Sequence, residues 1–250
     1  MMSLKEISLS SITLKHYVYK LKGHSGLVYS LMFVQLLGLL LSMGPGSGSG
    51  GSGGDFLSVS VRAYSADAIL IFSFVWIIVM ASLLGSKDYR SMEFSLVTNR
   101  ISSHLSNILI LVTCSVFTGV TSTLMSVLHR IILVITLNPS EFIFGGLRIA
   151  PTNLLLGIFV SSLYMLLLAA GAYLVKVIIE LNKSFGILLS LVLIAFVFGT
   201  VRIFALNIGN LIQFYTSEGS LGIFILKVLF TVLVLFGLSI STSNRMEVKR

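Results

Sequence analysis

Six stretches of this sequence, 27–43, 66–85, 108–128, 153–175, 185–206 and 221–240, each carry at most one charged side chain. Apolar runs of about 20 residues match the hydrocarbon thickness of a bilayer. Too little charge is left elsewhere to build a water-facing shell around them. Asp, Glu, Lys and Arg make up 10% of the 250 residues, against about 25% in an ordinary soluble domain. The sequence therefore predicts an all-α integral membrane protein with six transmembrane helices, forming a single transmembrane domain over 1–250. The connections are short, and little chain remains for a soluble domain.

The flanks of these runs define the rest of the layout. In 1–26, Leu4, Ile7, Leu14, Val18 and Leu21 recur at three- and four-residue steps, with Ser11 filling the gap. Lys5, Lys15, Lys20 and Lys22 lie mostly off that face, the pattern of a helix lying among lipid headgroups. A disordered basic leader is the competing reading. No continuous apolar core precedes residue 27, so no cleavable signal peptide is expected. Segment 44–54, GPGSGSGGSGG, reads as a flexible loop with neither helix nor strand. An engineered linker and a natural low-complexity loop fit it equally well. With 55–65 it completes an external Gly/Ser-rich loop, 44–65. Segment 176–184 reads as a short polar turn. The third apolar stretch is long, and its crossing is expected to end near Leu128, ahead of His129 and Arg130.

The formal charge of +8 would point to nucleic acid in a soluble protein. Here the basic residues lie mostly at the ends of apolar runs, so nucleic acid is not an expected partner and membrane lipid is. With the N-terminus in the cytoplasm, twelve of the 17 basic residues fall in cytoplasmic segments. Arg62, Arg130 and Arg148 fall on the other side. This asymmetry places both termini in the cytoplasm of a multi-pass cell-membrane protein.

Segment 86–107, SKDYRSMEFSLVTNRISSHLSN, is the polar island between spans two and three, and the same asymmetry makes it cytoplasmic. Tyr89, Met92 and Leu96, then Val97, Ile101, Leu105 and Ile108, repeat at helical steps, interrupted at Thr98-Asn99-Arg100. The pattern predicts a short amphipathic helix, a turn at Asn99, and a second helix running into span three, capped by Asn99 or Ser102. An ordinary solvated loop is the plain alternative.

The run Arg90 to Leu109, with Glu93 as its acidic residue, Phe94 to Val97 as an aliphatic helix and Thr98-Asn99 as a turn, resembles the cytoplasmic loop of ABC-2 type exporter permeases. The likeness extends to the whole layout, from the N-terminal interfacial helix to the six spans. The chain departs from the family by Asn99 where Pro is frequent, and by Ser91-Met92 where Gly-Thr is familiar. The resemblance implies that the island is a coupling helix seated in a groove of a separate ATP-binding cassette subunit. Tyr89, Met92 and Leu96 would supply apolar contact, and Arg90, Glu93 and Arg100 a polar rim. ATP and Mg would belong to that partner, and a second permease copy or paralogue would complete the assembly. Export is likewise implied by the family. A non-transporting membrane immunity or sensor protein is the alternative, and it would need no ATPase.

Within the spans, Ser115-x-x-x-Gly119-x-x-x-Thr123 lines up small residues on one helical face, and Gly157 and Ser161 repeat the spacing. Such faces let helices approach closely. Two readings stay open, a polar-lined translocation path at a permease dimer interface and plain helix packing. Arg202 and Lys227 lie close enough to span ends to snorkel, and Glu218 is a candidate ion partner for Lys227. His16, His24, His104 and His129 show no metal-ligand spacing, and Cys114 has no thiol partner, so no metal is expected. No G-x-x-x-x-G-K-[ST] or H-E-x-x-H occurs, so this chain holds no P-loop and no catalytic site is expected. Walls of apolar and hydroxyl side chains suit an amphipathic or lipophilic cargo, such as a peptide or antibiotic.

Overall fold

The computed structural model describes residues 9–23, 26–43, 48–54, 57–63, 65–86, 100–136, 150–181, 214–215 and 219–244. The described helices are α1 (Leu9–Gly23), α2 (Gly26–Ser42), α3 (Asp67–Gly85), α4 (Arg100–Thr136), α5 (Pro151–Leu181) and α6 (Leu221–Asn244). Helices α3, α4, α5 and α6 are each long and apolar enough to cross a membrane. The pair α1 and α2, bent by 55° at a short break, is long and apolar enough to cross only if the two helices are taken together as one broken span. These are the helices of a multi-pass membrane protein, and their exposed surface agrees. On α6, Leu226, Phe230 and Leu233 are each at least 70% exposed, which would be costly in water. The expected span 185–206 lies outside the described residues.

One expectation needs correcting. Segment 44–65 is not all loop, because β1 (Gly48–Gly54) and β2 (Leu57–Ala63) pair antiparallel, with Gly48 opposite Ala63 and Gly54 opposite Leu57. The physical reason lies in the partner. Val59 and Val61 favour extended backbone, and a glycine strand, poor at holding a conformation alone, can follow a ladder that its partner defines.

Helix boundaries follow local chemistry. Helix α5 starts two residues before the expected span because Pro151 fits the first helical position, where no amide hydrogen is needed. It also continues into the expected polar turn, as far as Leu181. Lys176 and Glu180, one helical turn apart, form a 2.9 Å ion pair that keeps both charges on a continuing helix. Helix α6 is capped by Ser220, whose Oγ accepts from Ile223 N at 3.4 Å. Helix α4 has 37 residues, about 55 Å at 1.5 Å per residue, and continues past Leu128 to Thr136. Ser102, one of its two expected caps, lies inside the helix with its hydroxyl unpaired.

The chain divides into two compact units. Unit 2 comprises Lys20–Ile77 and Thr113–Met165. There α2 turns Leu31, Gln35, Gly38, Leu39 and Ser42 inward at steps of three and four. Gly38 lets α2 and α3 approach, since a Cβ on it would sit 3.0 Å from Ile69 Cα. Trp76 Nε1 donates to Ser30 Oγ at 3.0 Å along the same pair. His129, buried on α4, donates from Nε2 to Ser42 O at 3.2 Å, satisfying one of the carbonyls that the end of α2 leaves open.

The tightest crossing joins α4 to α5. A Cβ on Gly119 would stand 2.8 Å from Ser162 N and 2.9 Å from Ser162 Cα, whereas one on Gly157 would meet only Thr123 Cγ2 at 3.7 Å. Backbone cannot yield as a flexible side chain does. Gly119→Ala is therefore expected to cost about 1–3 kcal/mol through overpacking, lowering the thermal unfolding midpoint in detergent. Gly157→Ala should leave that midpoint unchanged or raised, because it fills ordinary space and improves helix propensity. Equal effects of the two substitutions would contradict this account of the crossing.

Candidate functional site at the base of the polar segment

Unit 1 comprises Met1–Tyr19, Ile78–Val112 and Leu166–Arg250, and it holds both ends of the polar island. Helix α3 closes at Gly85, where Ser86 N and Ser86 Oγ both donate to Leu83 O, at 3.1 and 2.8 Å. Helix α4 opens at Arg100, directly after Asn99. Tyr89, Arg90, Met92, Glu93, Leu96 and Asn99 lie outside the described residues. Arg100 is the first residue of α4. The expected docking residues are thus bracketed by two helix ends, and the geometry of those ends can be read.

Both ends converge on Tyr173 of α5, which is 1% exposed. From α4, His104 Nδ1 lies 2.8 Å from Tyr173 Oη, and Asn107 Nδ2 donates to the same oxygen at 3.4 Å. Asn107 Nδ2 also reaches back to α3, donating to Leu84 O at 3.3 Å. That carbonyl belongs to the last turn of α3, where no amide further along the helix is available to it. Gly85 brings the end of α3 against α5, with its ideal Cβ position 3.0 Å from Lys176 Cγ and 3.6 Å from Tyr173 Cδ2. From α6, Phe236 packs edge-on to Tyr173, with ring centroids 6.3 Å apart. The His104 ring does the same from α4 at 6.2 Å. One tyrosine therefore gathers four helices at the root of the island.

The cluster is buried and neutral in composition, with Asn107 fully covered and His104 at 4% exposure. Its donors are matched to an open carbonyl and a phenol, so it is arranged to hold elements in place. Among the described residues no group of His, Cys, Asp and Glu could hold a metal ion. Nothing in the residue types of His104, Asn107 and Tyr173 taken one by one marks them as a cluster. The signal that marks them is an imidazole at i and an amide at i+3 in the polar run that opens α4, each of which must find a partner inside the protein once that run is buried.

The other expected site residues belong to unit 2. Gly119 and Thr123 face α5. Thr123 Oγ1 donates to Gly119 O at 2.8 Å and stands 3.4 Å from Ser161 Oγ, and Ser161 Oγ also reaches Gly119 O at 3.3 Å. Ser115 is buried on the same helix. The two small-residue faces on 115–123 and 157–161 thus meet each other in a helix–helix seam. Lys227, on α6, places its Nζ 3.9 Å from the centroid of the Phe214 ring, a cation–π contact. Glu218 and Arg202 lie outside the described residues. Compared with known proteins, the chain matches no family model, no curated protein and no solved structure.

Tyr173→Phe keeps the ring and its edge contacts and removes the oxygen shared by His104 and Asn107. It is expected to destabilise the protein by about 1–3 kcal/mol, the scale of losing buried hydrogen bonds to one hydroxyl. The check is the unfolding midpoint in detergent. A midpoint equal to wild type would show that the hydroxyl does not hold the cluster together.

Proposed function

We propose that this chain is the membrane-spanning permease subunit of an ATP-binding cassette exporter, and that segment 86–107 is its coupling element. The observation that carries the proposal is the convergence on Tyr173. A passive loop needs no special arrangement where it joins its helices. A segment that must transmit force needs both roots held to the helices it moves. Here the last turn of α3 and the first turns of α4 are joined through Asn107, and through Tyr173 to α5 and α6. A push on the island would thereby reach four helices together.

In this reading Tyr89, Met92 and Leu96 contact a groove of the ATP-binding subunit, with Arg90, Glu93 and Arg100 at its rim. ATP and Mg are bound by that subunit and its hydrolysis drives the cycle. The chain makes six crossings, with both termini cytoplasmic, and pairs with a second copy or a paralogue. Helix α1 lies among lipid headgroups. In support, Leu14, Val18 and Leu21 are exposed beside exposed Lys15 and Lys22, while Thr13, His16 and Lys20 are buried. An apolar stripe turned outward with cations around it suits a lipid surface. The cargo is amphipathic or lipophilic, in keeping with the apolar and hydroxyl character of the spans.

Replacing Met92 and Leu96 together by Asp is expected to reduce co-purification of the ATP-binding subunit by about tenfold or more, the scale of losing one central contact. Membrane insertion, read as resistance to alkaline extraction, should be unchanged. Undiminished recovery of the ATPase would remove the docking role and favour a non-transporting membrane protein. Orientation has its own check. In a Cys114→Ala background, a cysteine at Ser91 should react with an impermeant maleimide only after the cells are opened. Labelling of intact cells would place the island outside and exclude a cytoplasmic motor.

A further inference from the structure

Among its described residues, unit 2 contains two buried polar side-chain atoms with no hydrogen-bond partner, Gln35 Oε1 on α2 and Thr118 Oγ1 on α4. Neither residue has any exposed surface. The orientation of the Gln35 amide is fixed by its neighbours. Its Nε2 stands 3.1 Å from Ser73 Oγ and 3.0 Å from Thr121 Oγ1. Each hydroxyl already donates its single proton to its own helix, Ser73 to Ile69 O at 2.8 Å and Thr121 to Phe117 O at 3.0 Å. Both can only accept from Gln35, so the NH2 end must face them. The carbonyl end is then left as an acceptor that lacks a donor.

Thr118 departs from a pattern that several hydroxyls of unit 2 keep. Ser42, Ser73, Thr121, Thr123, Ser126 and Ser162 each donate to a carbonyl one turn back. The Thr118 hydroxyl makes no such bond, although carbonyls of its own helix are available one turn earlier. Thr118 precedes Thr121 by three positions, which places it one turn away on the same face, and Thr121 is the residue that Gln35 touches. A pure acceptor and a hydroxyl free to donate or accept therefore lie on one seam between α2 and α4.

We propose that Gln35 and Thr118 bind a single buried water molecule. The water donates one proton to Gln35 Oε1 and shares a second hydrogen bond with Thr118 Oγ1, satisfying both orphans at once. The inference does not rest on the exporter reading, because it follows from hydrogen-bond valence within unit 2. A direct Thr118–Gln35 bond is the competing arrangement, and the test must separate the two.

Gln35 and Gln213 are the chain's glutamines, so the full chain labelled with 15N-glutamine in lipid nanodiscs gives a simple side-chain amide spectrum. Gln35→Leu identifies the Gln35 signals by their loss. Magnetisation transferred from water to the Gln35 amide protons under magic-angle spinning is expected to be clear in the wild type. It should fall several-fold in Thr118→Val and persist in Thr118→Ser, which retains the hydroxyl. In a second sample labelled with 15N-tryptophan, an unchanged indole resonance of Trp76, the chain's one tryptophan, marks the variants as folded. Absence of transfer in the wild type overturns the proposal and leaves the direct bond. Full transfer in Thr118→Val, or loss of transfer in Thr118→Ser, removes Thr118 from the site and overturns it equally.

Discussion

Where no water competes, each buried donor or acceptor must be answered from within the protein, and that requirement arranges most of what unit 1 and unit 2 contain. Apolar attraction between helices is weak when the surrounding medium is itself apolar. Position is then decided by close backbone contact and by hydrogen bonds. The Gln35 amide joins three helices because both of its protons find hydroxyls. Tyr173 and Asn107 do the same in the other unit. His129 completes the end of a helix far from it in sequence. Each of these is a polar group whose cost of burial becomes a reason for particular helices to meet.

The same requirement explains what the sequence made legible. Apolar length is a bulk property, so α2, α3 and α6 are readable from composition alone, and observed and expected ends agree within a few residues. Small-residue spacing on 115–123 and 157–161 is also local, and it marks the faces that meet at Gly119. Other features depend on partners. The course of α4 beyond Leu128 goes with a buried His129, and His129 is accommodated by a carbonyl of α2. The continuation of α5 through Lys176 depends on a side-chain pair that a turn assignment overlooks. Gln35 is one letter in LVYSLMFVQLLGLLL, and nothing in its neighbourhood announces that its amide will bridge three helices.

The island and its roots divide in the same manner. Periodicity and charge single out 86–107 as a segment expected in water, although Ser102, His104, Ser106 and Asn107 at its end are buried in the structure, and they suggest what its outer face could bind. They say nothing of how it is anchored. Anchoring depends on His104 and Asn107 from one side and on Tyr173, some 70 positions later, from another. A long-range triad of this kind leaves no periodic trace. The compositional trace is confined to Tyr173, a phenol inside an apolar run, because His104 and Asn107 sit among polar residues.

The hairpin carries a consequence of a different kind. Strand pairing ordinarily has one best register, because a slip by one residue sends each side chain to the wrong face. In β1 only Ser49 and Ser52 bear a side chain at all. A slip of β2 along β1 therefore meets nearly the same backbone at each step, with almost nothing on the glycine side to tell one alignment from the next. Side chains on β1 therefore do little to specify the register, and the pairing seen with β2 is set by the backbone and by β2.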